Sequence, residues 1–201
     1  MIFATSPIFP LLLLCIVVLG AVILSLMVWA LLSFNKLVRN RNRMREAWSG
    51  IDVQLKRRHD LVPNLCAAVE GYRDHERSLL EDLVRLRAEA AEAGDSADRA
   101  TGPEAALSKG IGSVFALAEG YPELRSDENF RQLHASLVEI EDDLQYARRY
   151  YNGSVRDLNN LVEGFPSGVI ARTGGFRKAG FFEVENASER ISPSVKAELE
   201  Q

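Results

Sequence analysis

Residues 44–72, "MREAWSGIDVQLKRRHDLVPNLCAAVEGY", decide the fold. Met44, Trp48, Ile51, Leu55, Arg58, Val62, Leu65, Val69 and Tyr72 recur in alternate steps of four and three, the spacing that lines up one face of an α-helix. The register continues through Glu76, Leu79, Leu83, Leu86 and Ala90, so twelve of fourteen positions are apolar or aromatic in a chain that is 47% hydrophobic. This predicts one long heptad helix. Ala47, Leu61, Ala68 and Leu80 flank the seam and widen it into the face of a bundle. Pro63 falls inside the run without shifting its phase. It removes the N–H that would bond to the His59 carbonyl, which predicts a bend near Pro63 and a carbonyl left to a side chain or water.

Upstream, Leu11 to Phe34 is a run of 24 residues without one charge. At 1.5 Å per residue it makes about 36 Å of helix, enough to cross a bilayer. The ten residues before it hold no Lys or Arg, unlike the basic start of a cleaved signal, so the span is read as a retained anchor. Lys36, Arg39, Arg41, Arg43 and Arg45 crowd its exit as a basic collar suited to anionic lipid, and the positive-inside rule then puts the C-terminal domain in the cytoplasm. A nucleic-acid role does not suit this cluster, which is pinned beside the membrane and lacks interleaved aromatics. Charge reverses along the chain: residues 35–64 carry eight Lys+Arg against three Asp+Glu, and residues 65–201 sixteen against twenty-five.

Downstream, "EAGDSADRATGP" stops the first helix, and Gly102-Pro103 reads as the start of a second that runs to about Glu119 with Leu107, Ile111, Val114 and Ala118 on one face. Gly110 and Gly112 each cost it about 1 kcal/mol, so it must lean on neighbours. A third helix carries Phe130, Leu133, Leu137, Ile140, Leu144, Ala147, Tyr151, Ser154, Leu158 and Leu161. Ser126 or Asp127 can cap its start, and Gly164 with Pro166 ends it. Asn152-Gly153 stays helical because the register passes through it. In the tail, Phe165, Phe176, Phe181 and Phe182 are too apolar to float free; they cap the bundle end or, aided by Arg172, Arg177 and Lys178, touch the membrane surface.

Motifs for chemistry are scarce. A bundle di-iron site needs Glu-x-x-His pairs, and no histidine here has a carboxylate or second histidine three or four residues away. The two cysteines, Cys15 in the span and Cys66 beyond it, have no zinc spacing and cannot pair within the domain. Phosphate-cradling and nucleophile-elbow motifs do not occur. What stands out is charge on the heptad seam: Arg58 and Glu76, eighteen residues or about 27 Å apart along a helix, each need a partner on another helix or a route to water.

"FNKLVRNRNRMREAWSGIDVQLKRRHDLVPNL", "GYRDHE", "AEGYPELRSDENFRQL", "ARRYYN" and "GFPSGVIA", in this order, resemble the LemA family of bacterial membrane proteins from about Phe34 to Phe182. The resemblance implies an all-α fold, with an N-terminal transmembrane helix followed by an antiparallel helical bundle, and neither an established enzymatic activity nor a cofactor. His59 stands where a small residue is usual in that family, so the resemblance gives this imidazole no shared role. The expected organisation is a short non-cytoplasmic N-terminus at 1–10, a span at 11–34, a bundle domain at 35–182 and a disordered tail at 183–201. The expected function is a non-enzymatic scaffold or interaction protein, anchored by a single pass in the bacterial inner membrane. Its expected partners are the lipid bilayer, other proteins and a second copy of the chain, not nucleic acid. The alternative is a small-molecule sensor or minor enzyme using polar residues around the Pro63 kink: Arg57, Arg58, Asp60, Pro63, Asn64 and Glu76.

Overall fold

The computed structural model describes residues 8–71, 77–94 and 96–183, with side chains from residue 11 onward and without that of Arg77. Among the described residues there are six helices and no strand: α1 Ile8–Glu70, α2 Arg77–Glu92, α3 Ala97–Ala118, α4 Pro122–Ser126, α5 Glu128–Glu163 and α6 Ser167–Thr173. The all-α expectation holds. The chain divides into two compact units, the first Met1–Glu46 with Gly153–Ala179 and the second Ala47–Asn152 with Gly180–Gln201.

In the second unit, Val62, Leu65 and Val69 of α1 meet Leu83 and Ala90 of α2, Leu107, Ile111, Val114 and Ala118 of α3, Leu124 of α4, and Phe130 and Leu137 of α5 in one core. The seam read from the sequence is therefore the buried face of α1, with Ile51, Leu55 and Arg58 buried on the same register. α1 and α5 are antiparallel here, since Arg58 meets Glu141 while Trp48, nearer the start of α1, meets Tyr151, farther along α5. Arg87 of α2 bonds the His59 carbonyl of α1. Residues 59 and 87 lie almost equally far from the break after Glu70, as in a helix hairpin.

Two expected boundaries are corrected. The heptad run is not one helix to Ala90: α1 ends at Glu70 and α2 begins at Arg77. The phase survives the break because both helices face the same core, and a seam's phase does not record a reversal of direction; Gly71 is the local signal. The next helix does not begin at Gly102-Pro103 but at Ala97, with Pro103 inside it. Its buried stripe is Ala97, Ala100, Glu104, Leu107, Ile111, Val114 and Ala118, so two small residues carry the pattern ahead of the proline. By contrast α1 does run through Pro63, and α5 runs through Asn152-Gly153. Asp127 caps α5 through the Phe130 N–H, 2.9 Å from its Oδ1.

In the first unit, α1 is apolar and exposed from Leu11 to Leu32, apart from small or partly covered positions, and is long and apolar enough to cross a membrane. Beyond it Leu37 packs with Leu158, Ala171 and Phe176, so α6, which the sequence reading did not resolve, covers the first turns after the candidate span. The tail is held by a polar device: the Asn159 side-chain amide pairs with the Ala179 backbone at 2.9 and 3.0 Å. In the second unit Asn152 grips Phe182 in the same way at 2.9 and 3.1 Å, and Tyr151 donates to the Gly180 carbonyl. Phe176 and Phe182 are buried, each in its own unit, whereas Phe165 and Phe181 are exposed. The expectations for residues 1–7, for Glu76 and for 184–201 lie outside the described residues.

Candidate functional site

The most concentrated chemistry is a buried cluster in the second unit, built from three helices. α1 supplies Arg58 and His59, α3 supplies Glu104 and Ser108, and α5 supplies Glu141 and Arg148. Arg58 occupies a seam position, so its guanidinium is carried into the core; it is 4% exposed and Glu104 only 1%. Arg58 Nη2 pairs with Glu104 Oε2, and its Nη1 donates to Ser108 Oγ at 2.7 Å and Glu141 Oε2 at 3.3 Å. His59 Nε2 lies 2.9 Å from Glu104 Oε1. Arg148 Nη2 closes the chain on Glu141 Oε1 at 2.8 Å.

Burial by itself pushes the Glu104 carboxyl up, but the His59 hydrogen bond and the Arg58 charge outweigh it and hold the group below the ordinary glutamate range. An ionised carboxylate only accepts, so the hydrogen in the His59–Glu104 bond sits on Nε2. Both Glu104 oxygens are thus engaged by protein. Arg58 Nε has no hydrogen-bond partner among the described residues. A cleft of about 270 Å³ between α3 and α5 reaches this cluster and is lined by Arg58, Ser108, Gly112, Phe115 and Glu141 among others. No group of three or more His, Cys, Asp or Glu suited to a metal occurs among the described residues. The Cys66 thiol is raised by burial.

Among the described residues singled out around the kink, only Arg58 enters the cluster. Arg57 is exposed, bonding Gln54 at 3.1 Å and lying 3.8 Å from Asp143; Asp60, Pro63 and Asn64 are also exposed. The carbonyl that Pro63 frees accepts from Arg87 Nε at 3.2 Å. In the collar, Lys36, Arg39, Arg43 and Arg45 are exposed, while Arg41 lies over the Phe176 ring at 4.9 Å.

His59 and Glu104 were missed. His59 carries no partner at helical spacing because its carboxylate is 45 residues away on α3. Glu104 had a signal: it sits in phase with Ala97, Ala100, Leu107 and Ile111, the same charge-on-a-seam pattern that singled out Arg58. Starting the helix at Pro103 hid that phase.

Magnetosome protein MamQ 2 of Paramagnetospirillum magneticum is 24% identical, over 84% of this chain and 72% of its own length. Magnetosome protein MamQ of Magnetospirillum gryphiswaldense is 23% identical over the same shares. Protein LemA of Metamycoplasma hominis is 21% identical over 69% of this chain and 63% of its own. The model of the LemA family matches residues 47–196, which include α2 to α6 and the part of α1 that carries Arg58 and His59. This chain belongs to the LemA family.

Proposed function

We propose that the protein is a membrane-anchored scaffold whose helical bundle lies in the cytoplasm of a bacterial cell and holds other proteins at the inner membrane. The observation that carries this reading is the continuity of α1: the uncharged run and the seam that builds the bundle belong to one helix, with no linker between them. The basic collar supports the orientation, because Lys and Arg are retained on the cytoplasmic side. The polar cluster supports a structural role, since both Glu104 oxygens are already engaged by protein side chains, Arg58 and His59. The relatives' names fit as well, since "magnetosome protein" names no reaction.

Two measurements test the reading. A single cysteine placed at Glu183 in a Cys15→Ser, Cys66→Ser chain should resist an impermeant maleimide in intact spheroplasts and react after permeabilisation. Labelling before permeabilisation overturns the orientation. A photo-crosslinker at the exposed Tyr146 or Val84 should give discrete adducts of fixed stoichiometry in cells. Uniformly unadducted chain overturns the scaffold. The second reading, a small-molecule sensor, is favoured by the cleft that touches Arg58 and Ser108. Native mass spectrometry of the purified chain tests it, since a sensor should retain a ligand that is lost with Ser108→Ala.

A further inference from the structure

The first unit carries an apolar edge outside the candidate span. Phe165 is 91% exposed and Val169 57%, one on the turn into α6 and the other on its first turn. In the same unit Leu37 packs with Leu158, Ala171 and Phe176, and the Phe176 ring meets Phe34 at 5.6 Å and Arg41 at 4.9 Å. Phe34 is the last residue of the candidate span, two before the first charge at Lys36. At 1.5 Å per residue Leu37 lies about 4.5 Å past it along α1. The polar layer on each face of a bilayer is roughly 5–7 Å deep. With the span centred in about 30 Å of hydrocarbon, Phe34 lies about 3 Å outside it and Leu37 about 7 Å outside, so the core that α6 builds around Leu37 falls at the outer edge of the headgroup layer.

Charge follows the same division. Residues 35–46 and 153–179 hold nine Lys+Arg against three Asp+Glu, and the rest of the chain holds fifteen against twenty-five. Lys36, Arg39, Arg43, Arg172 and Arg177 are exposed. Exposed aromatic and aliphatic side chains among cations, at headgroup depth, match an anionic bilayer surface. They do not match a second copy of this unit, which would bring like charges together.

We propose that the Phe165–Val169 edge is a second membrane contact, seated in the headgroup layer of an anionic bilayer, with Arg172, Arg177, Lys36 and Arg39 against lipid phosphate. It rests on the anchoring described above. The contact fixes the end of α5 and α6 to the surface that α1 crosses, so the first unit is held at two points and not on one pivot.

The test uses the full chain, Cys15→Ser and Cys66→Ser, with an environment-sensitive nitrobenzoxadiazole dye on Phe165→Cys, on Val169→Cys, or on Tyr146→Cys, an exposed position of the second unit. Each is reconstituted in phosphatidylcholine vesicles with and without one quarter phosphatidylglycerol, carrying shallow doxyl-labelled lipid. The expected result is blue-shifted emission at 165 and 169 with doxyl quenching at least about two-fold that at 146, rising with phosphatidylglycerol. Arg172→Glu with Arg177→Glu should remove the phosphatidylglycerol dependence. Quenching no greater than at 146 overturns the contact, and so does a blue shift without doxyl quenching, which marks a protein neighbour. Chain that fails to float with vesicles after an alkaline wash overturns the anchor itself. Chain that floats with position 165 in water overturns this contact alone.

Discussion

Replacing Arg58 by Met should be among the most damaging single changes in the bundle. The side chain keeps an apolar stem in the seam, while the guanidinium and its charge opposite Glu104 are lost. Glu104 would then be a carboxylate 1% exposed, left with His59 alone. Breaking a buried pair by removing one partner costs about 3–5 kcal/mol, because the other charge stays buried without compensation. Glu104→Gln is milder: Arg58 keeps Ser108 and Glu141, and the loss is about 1.5–3 kcal/mol, that of a charge-assisted hydrogen bond. The double change Arg58→Met with Glu104→Leu removes both charges and should recover most of the stability, ending within about 2 kcal/mol of the parent. Urea unfolding of the full chain in detergent, followed by far-ultraviolet circular dichroism, gives all three values. The pH dependence has a definite sign. The folded value of Glu104 lies below the ordinary one, so its contribution is complete above the unfolded value of about 4.3 and is lost as pH falls through the folded value. The single Arg58→Met variant should lose part of that acid-side slope, the part due to the Arg58 charge, while the His59 hydrogen bond keeps the rest. A cost under about 1 kcal/mol for Arg58→Met, or a double variant worse than either single one, would refute the reasoning.

Other consequences follow from particular contacts. Arg87→Leu should cost about 0.5–1.5 kcal/mol by leaving the His59 carbonyl without its donor, and the cost should shrink in a Pro63→Ala chain, where residue 63 regains an N–H; a double-mutant cycle by urea unfolding reads the coupling. Asn152→Ala should release the backbone at Phe182, seen as faster hydrogen exchange at that amide while the α2 and α3 amides keep their protection. Gly112→Ala should stabilise α3 by about 0.5–1 kcal/mol, because an added Cβ meets nothing within 4 Å. At Gly110 the same change brings the Cβ to 3.1 Å from Leu83 and Leu86, so thermal melting should show a smaller gain or a loss.

The sequence by itself determined the helical class, the candidate span, the seam of α1, its passage through Pro63, and α5 with a cap at Ser126 or Asp127, of which the structure uses Asp127. These are local: periodicity, a missing N–H and capping chemistry act within a few residues. Tertiary structure alone decided three things. The reversal after Glu70 is silent in the heptad phase, because α1 and α2 present their stripes to one shared core. The tail clamps of Asn152 and Asn159 join a side chain to a backbone 30 and 20 residues on, a pairing that no spacing announces. The partner of Arg58 is the third, since a buried charge tells the reader only that a counter-charge exists. Which one is settled by the packing of α3 against α1, which brings Glu104 to both Arg58 and His59 while Asp60, two residues from Arg58 in the chain, stays at the surface.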